Sequence, residues 1–119
     1  MKYTGLLLKE SLRDEAVLSE MTVIRTEIWD VKNAVAGQPR QWTAVHFEVA
    51  EEKVVVVARE LSKSLKPAWY LNMSGESNVF VIFHDKVFKY QKGDVVRRSE
   101  VILYGKNEGI PEHQLDWKE

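Results

Sequence analysis

The chain contains no cysteine, and this absence excludes several kinds of site. Without thiols it has no disulfide, no thiolate metal ligand, no iron–sulfur ligation and no cysteine nucleophile. No apolar run approaches the roughly 20 residues that a membrane helix needs. Leu6–Leu8 is also too short for the apolar core of a signal peptide. We therefore expect a cytoplasmic protein with no membrane partner.

The chain also lacks an excess of either charge. Seventeen Lys and Arg oppose eighteen Asp and Glu, which gives a formal net charge of −1. Proteins that neutralise many phosphates need a basic excess, so a nucleic-acid partner is disfavoured. The six glycines form no phosphate-binding motif, and the GxSxG and HExxH motifs are absent as well. The sequence therefore names no reaction and predicts no cofactor.

What is present fits one α+β domain spanning residues 1–119. The length suits a single domain, and 45% hydrophobic residues suffice for a core. Apolar periodicity and breaker residues divide the chain into alternating elements. Helices are predicted over 11–21, 51–65 and 94–107. Strands are predicted over 3–10, 22–31, 41–50, 68–73, 79–83 and 86–90.

This order predicts a ferredoxin-like βαββαβ antiparallel sheet with a C-terminal β-hairpin and helix. One segment is ambiguous, because the four valines Val54–Val57 favour a strand. Against this, Val54, Ala58, Leu61 and Leu65 recur at helical spacing, so we predict a helix there. The alternative is a hairpin that turns at 50–53. The stretch 32–41, with Asn33, Gly37 and Pro39, is predicted to be a loop between strands.

Two tryptophans lie on the polar faces of two neighbouring predicted strands. Read with period 2, one face of residues 22–29 is Thr22, Ile24, Thr26 and Ile28, and the next strand continues it with aliphatic residues. The opposite face carries charged and aromatic side chains. A large aromatic surface among charged side chains indicates either a binding site or a surface that another element of the fold covers. The candidate ligand-binding residues on this face are Arg25, Glu27, Trp29, Trp42, His46 and Glu48.

These residues allow more than one chemistry. If Trp29 and Trp42 form an in-register pair, Arg25 lies opposite His46 and Glu27 opposite Ala44. Glu27, His46 and Glu48 would then converge, either as a metal set or as ordinary cross-strand charge pairs. The second interpretation is preferred, and no metal site is predicted. The tryptophans themselves have a plainer explanation too, which is burial under the C-terminal hairpin and helix or under a second subunit.

Two other groups of residues are weaker candidate sites. The aromatic residues of 69–90 invite comparison with a single-stranded nucleic-acid platform. Residues 5–10 of the first strand offer no aromatic residue, however, and a hydrophobic hairpin core explains the group better. His84-Asp85-Lys86 could suggest acid–base catalysis, but a hairpin tip is expected to be exposed, and turn chemistry explains Asp85.

The runs Lys66–Tyr70, Val81–Phe83 and Lys86–Lys89 resemble a pattern in small bacterial proteins to which no activity is assigned. The closing segments Gly109–Glu112 and Leu115–Trp117 belong to the same pattern. The resemblance spans most of the chain, but it implies no reaction and assigns no functional residue.

The function favoured by the sequence is a non-enzymatic module that binds a small molecule or a protein through its tryptophan-bearing sheet face, and we expect a homodimer. The alternative is a small enzyme on the same face, with His46 as base or ligand beside Glu27 or Glu48. A single-stranded nucleic-acid binder is the least favoured interpretation.

Overall fold

The computed structural model describes residues 2–30 and 40–119, and the predicted loop at 32–41 lies almost wholly outside them. Within the described ranges the two α-helices are α1 (Val54–Ser64) and α2 (Val95–Asn107). Short 3₁₀ segments occupy Lys9–Ser11, Glu15–Glu20, Glu51–Lys53 and Glu112–Gln114. The strands are β1 (Lys2–Leu8), β2 (Thr22–Asp30), β3 (Gln41–Ala50), β4 (Tyr70–Ser74), β5 (Asn78–Phe83) and β6 (Lys86–Gln91).

The six strands form one antiparallel sheet in the order β2-β3-β1-β4-β5-β6. The prediction of a mixed α+β fold with an antiparallel sheet is confirmed. The finer ferredoxin-like βαββαβ topology is not established, because helices are few. The C-terminal hairpin also joins the sheet as β5 and β6, so it does not cover the tryptophans as one explanation required.

The helix predicted over 11–21 is wrong as an α-helix. Leu12 forms an antiparallel bridge with Leu65, which holds the chain extended just where the helix should begin. Asp14 then caps the remaining segment by accepting a hydrogen bond from the Ala16 amide at 2.9 Å. Only six residues are left, and they form a 3₁₀ segment, since so short a piece cannot offset the cost of starting an α-helix.

Residues 54–64 are helical, so the helix prediction is confirmed and the alternative hairpin is wrong. Val54, Val57, Ala58 and Leu61 are buried at the spacing of one helix face. Burial of this face outweighs the weak strand preference of the valine run, since propensity spans well under ~1 kcal/mol per residue. The helix stops before Leu65, whose backbone is extended.

The sheet has two faces, each with its own core. On the first face, α1 and the 3₁₀ segment at Glu15–Glu20 cover all strands except β2, which lies beyond them. Gly5 of β1 is required on this face, because an added Cβ would lie 2.7 Å from both the Asn72 carbonyl and the Phe47 ring. We call the other face the tryptophan face, after Trp29 and Trp42.

On the tryptophan face, α2 covers only the half at β5 and β6, and the C-terminal segment 113–119 lies along β4. The Asp94 carboxylate caps α2 by accepting from the Arg97 amide at 3.0 Å, and Gly109 follows its end at φ +89°. Val101 of α2 packs with aromatic and aliphatic residues into a closed core. The other half of this face, over β1, β3 and β2, carries no helix among the described residues.

Candidate functional site

The predicted pairing of β2 with β3 is present in the structure. Trp29 lies opposite Trp42, Glu27 opposite Ala44, and Arg25 opposite His46. The register shifts between Val23 and Arg25, which marks a bulge. The period-2 prediction for Ile24 fails at this bulge, because one extra residue exchanges the faces. Ile24 therefore joins the tryptophan face, where it lines the groove beside His46.

The uncovered half of the tryptophan face forms a groove of about 820 Å³. Its floor is the outer face of β1 with Thr4, Leu6 and Leu8, continued by β4 with Asn72 and Ser74. Indole rings from β2 and β3 form one wall, and the C-terminal segment 113–119 lines the other. This volume lies within the ~300–1,000 Å³ of typical small-molecule sites.

Glu27 lies beside the indole wall and bonds to it, and neither Glu27 nor Arg25 is among the residues that line the groove. Its carboxylate accepts hydrogen bonds from Trp29 Nε1 at 3.2 Å and from His46 Nε2 at 2.8 Å. Arg25 Nε lies 3.0 Å from the same carboxylate. The Trp29 hydrogen bond, followed by His46 and Arg25, holds the pKa of Glu27 below its ordinary value despite some desolvation. The ionised carboxylate thus fixes the orientations of three neighbouring side chains.

Glu48 does not join Glu27 and His46. It forms an ion pair with Lys2 across β1 and β3, with Nζ and Oε2 3.1 Å apart. The three-ligand metal set is therefore wrong as a geometry, and the cross-strand charge pairs describe these residues correctly. In residues 2–30 and 40–119, no three His, Asp or Glu side chains are grouped as a metal site would require.

Two buried polar atoms next to the groove have no hydrogen-bond partner in the described residues. They are Trp42 Nε1 and Ser74 Oγ, and both residues line the groove. Nearly all buried polar groups in folded proteins are paired, and an unpaired one costs about 1–3 kcal/mol. An indole N–H only donates, so Trp42 presents a donor that requires an acceptor.

Trp69 meets Trp42 at one end of the groove. The two rings are arranged edge to face, with centroids 5.6 Å apart. The turn before Trp69 has Pro67 and then Ala68 at φ +66°, a conformation that side chains with a Cβ disfavour by about 1–2 kcal/mol. Strained backbone of this kind is concentrated at binding and catalytic sites.

The C-terminal wall is held firmly to the sheet. Tyr70 donates its hydroxyl hydrogen bond to the Gln114 carbonyl, and Asn72 Nδ2 donates to the Lys118 carbonyl at 3.0 Å. Trp117 is buried, and its indole donates to the Tyr90 hydroxyl at 2.8 Å. Burial raises the pKa of Tyr70 and, with a contribution from Glu119, raises the pKa of Tyr90 to about 12. Trp117 thus docks onto the sheet and orders the C-terminal segment.

Arg98 of α2 links the same wall to the helix. Its guanidinium lies over the Trp117 ring at 4.5 Å, donates to the Trp117 carbonyl at 2.5 Å and lies 3.3 Å from Glu119. Guanidinium–indole contacts are among the stronger cation–π pairs. The wall is therefore a fixed part of the structure against which a ligand can pack.

Of the aromatic group at 69–90, only Trp69 and Tyr70 line the groove. Phe83 and Tyr90 are buried beneath α2 and Phe80 beneath α1, so they offer no platform for bases. Asp85 and Lys86 at the hairpin tip are exposed, as predicted, but the tip is also hydrogen-bonded to the chain at 62–65. His84 Nδ1 donates to the Leu65 carbonyl at 2.7 Å, and the Asp85 amide donates to Ser62.

Sequence reasoning does not place several groove residues beside Trp29, although Trp69 is among the aromatic residues of 69–90 that it considers. Trp69, Ser74 and the 113–119 wall are far from Trp29 in the chain, and no local pattern indicates that they meet. Ala68 carries a usable signal, because Pro67 favours the second position of a turn whose third position has positive φ. Glu48, by contrast, is predicted to be a ligand-binding residue of this sheet face but pairs with Lys2 instead.

Comparison with known proteins gives no relative, since no family model, curated protein or solved structure matches the chain. The resemblance to small bacterial proteins thus stays a prediction. In the described part of the chain, no helix is both long and apolar enough to cross a bilayer.

Proposed function

We propose that this protein is a non-enzymatic module that binds a small, flat, largely apolar molecule carrying a hydrogen-bond acceptor. The ligand lies in the groove on the tryptophan face, between the indole wall and the C-terminal segment. The observation that carries this proposal is the buried Trp42 Nε1, which has no partner among the described residues and lies beside an open aromatic groove.

The shape and chemistry of the walls support a flat ligand. Trp29, Trp42 and Trp69 supply indole surface, and Leu6 and Leu8 supply an aliphatic floor. Aromatic rings contribute about 0.5–1.5 kcal/mol in each ring contact beyond the area they bury. A planar ring system offers the largest contact with such walls for its volume.

The polar groups support an acceptor on that ligand. An acceptor near Trp42 Nε1 and Ser74 Oγ offsets the desolvation cost that both atoms carry in the free protein. The Nε1 atom is fully enclosed in the free groove, so its bonding to a ligand includes a small rotation of the Trp42 ring. The Trp42–Trp69 contact is the part of the wall that such a rotation changes.

The test compares binding to the open groove with binding to a filled one. A panel of flat aromatic compounds, including coumarin (a carbonyl acceptor) and indole (a donor without one), is titrated against the protein by ligand-observed NMR. Thr4→Trp places an indole on the exposed groove floor, and we expect it to weaken coumarin binding at least tenfold. Val55→Trp, on exposed α1 surface across the sheet, is the matched control and should bind normally. Equal binding by both variants would remove the groove as the site.

A second candidate function, a small enzyme, is favoured by the Glu27–His46 hydrogen bond. A carboxylate that accepts from one imidazole nitrogen orients the ring and raises the basicity of the other, as in hydrolytic enzymes. For any compound bound in the groove, this alternative predicts slow conversion that His46→Gln abolishes while binding persists. Unchanged compound after long incubation with the wild-type protein argues against it.

We also propose a ferredoxin-like description for the first four strands. Their order, β2-β3-β1-β4, with all neighbours antiparallel, supports the split arrangement. In this description the 3₁₀ segment at Glu15–Glu20 takes the place of the first helix, and β5, β6 and α2 extend the unit. A solved structure of this chain would test it by the strand order and the crossover at 9–21.

A further inference from the structure

The sheet has two edge strands, and their sequences differ in a way that bears on self-association. The β6 edge carries Lys86 and Lys89, and Lys92 follows directly. Lysines on an edge discourage another strand from pairing there, because pairing would bury or crowd their charges. The β2 edge has no lysine and no proline in its nine residues.

β2 is also the most exposed strand of the sheet. Val23 is 46% exposed and Ile28 is 65% exposed, and no strand of the described residues pairs with the outer edge of β2. Exposed aliphatic residues beside unpaired backbone groups form a template for an added strand. The bulge at Val23/Arg25 lies near one end of β2 and leaves Arg25–Asp30 in regular pairing with β3.

We infer that β2 pairs antiparallel with β2 of a second copy of this chain, centred on Thr26, so that the two sheets join into one. The self-complementary charges of the strand support this occupant. With Thr26 on the two-fold axis, Arg25 lies opposite the partner subunit's Glu27, and Glu27 opposite the partner subunit's Arg25. Opposite charges directly across a strand pair are stabilising.

The neighbouring registers are worse. For each face of one sheet to continue into the same face of the partner's sheet, the two-fold axis must pass through a residue and not between two residues. This follows because side chains alternate between the two faces with period 2. An axis through Glu27 places two glutamates face to face, which is destabilising. An axis through Ile28 leaves Arg25 without a glutamate opposite it on the other strand. Thr26 is therefore the centre that the charges select.

This arrangement has two consequences. An axis perpendicular to the joined sheet places both ligand grooves on the same side, since each tryptophan face continues into the other. The interface is also small, because pairing about Thr26 stays regular only over Arg25–Glu27 before each strand meets the partner's bulge, well below the ~20–30 residues a side of a standard interface. We therefore expect a dimer that dissociates on dilution.

Single cysteines test the register directly, because the chain has none of its own. In Thr26→Cys the two new side chains face each other, with Cβ atoms about 4.5–5.5 Å apart. In Thr22→Cys, on the same exposed strand, they are eight residues apart along the joined strands, roughly 27 Å. We expect a short bis-maleimide to link most of the Thr26→Cys protein and little of the Thr22→Cys protein. Equal linking of both, or of neither, overturns the register.

Sedimentation over a range of concentrations tests the dimer itself. The wild type should gain mass toward twice 13.8 kDa as its concentration rises. Ile28→Lys should stay monomeric, because it adds an edge lysine, whereas the control Leu103→Lys on exposed α2 surface should behave as wild type. A wild-type monomer at every concentration overturns the inference but leaves the ligand groove unaffected, since the groove lies within one chain.

Discussion

Both halves of the tryptophan face carry aromatic residues, but these residues are covered in one half and line an open groove in the other. Over β4, β5 and β6 the aromatic residues are sealed by α2 and by Trp117, whose indole donates to Tyr90. Over β1, β3 and β2 the aromatic residues line an open groove, and Trp42 Nε1 has no acceptor in the described residues. Tryptophan thus completes a core in one half, whereas in the other half the Trp42 indole donor stays unpaired among the described residues.

The covered half serves stability, whereas the open half has the features of a binding site. In the covered half, Trp117, Tyr90 and Tyr70 each have a polar partner within the chain. In the open half, the described residues tolerate an unpaired donor and a turn with Ala68 at positive φ. Such local costs persist where the surrounding structure holds them in place, and binding sites are where they concentrate.

The largest expected effect comes from making one substitution in both halves. Trp117→Phe removes a paired indole and leaves the buried Tyr90 hydroxyl without its donor, so we expect a loss of about 2–4 kcal/mol in the free energy of unfolding. Trp42→Phe removes an unpaired donor, which offsets the lost ring area, so the change should be within about 1 kcal/mol. Urea unfolding of both variants measures the two losses, and equal losses would erase the contrast.

Alkaline pH should weaken the covered half next. Burial raises the pKa of Tyr90 from 10 to about 12 and also raises that of Tyr70. A tyrosine with a raised folded-state pKa stabilises the fold fully below pH ~10, and this contribution is lost as the pH rises toward 12. Tyrosinate absorbance should therefore show these two residues ionising only as the protein unfolds. Ionisation of all four tyrosines near pH ~10 with the fold intact would refute this.

Relief or introduction of backbone strain should change the free energy of unfolding by a smaller amount, about 1 kcal/mol. Gly109 ends α2 at φ +89°, and a Cβ added there would meet open space, so Gly109→Ala should cost about 1 kcal/mol through strain alone. Ala68→Gly at the groove should instead gain up to ~1 kcal/mol, because glycine accepts φ +66°. Thermal unfolding measures both, and a loss for Ala68→Gly would mean that the turn is unstrained.

The smallest effect concerns Glu27, which is partly exposed. Its pKa lies below the ordinary 4.5, so its charged contacts stabilise the fold above that pH and are lost as the pH falls through the lowered value. Glu27→Gln should thus unfold slightly more easily than wild type at neutral pH, and the gap should close in acid. Acid titrations of both proteins, followed by tryptophan fluorescence, measure the gap; a gap that is constant with pH would contradict this role.

The sequence predicted the strand pairing on the open half of the tryptophan face better than it predicted the elements that pack on the sheet. Period 2 and the Trp29–Trp42 pair correctly placed Arg25 opposite His46, because register on a two-sided sheet follows side-chain pattern. The bulge at Ile24 interrupts the period-2 pattern of side chains, and no residue type at that position indicates a bulge. The helix over 11–21 failed because the Leu12–Leu65 bridge is a contact between distant residues.

The other half of the groove depended on tertiary arrangement. Nothing in the chain pattern at 113–119 indicates that this segment faces Trp42 across β1 and β4. Glu48 failed as a site residue for a similar reason, since its partner Lys2 lies 46 residues away. Pairings between distant residues are the part of a site that local pattern cannot supply.

The most direct test follows the four indole N–H signals of the ¹⁵N-labelled protein during titration with coumarin and the other flat aromatic compounds of the panel. Trp117 also lines the groove, but its buried indole N–H is bonded to Tyr90, so its signal should respond least. We predict that the Trp42 signal moves most, with Trp29 and Trp69 following and Trp117 moving least. If no compound moves the Trp42 signal, the open half of the tryptophan face is not a ligand site.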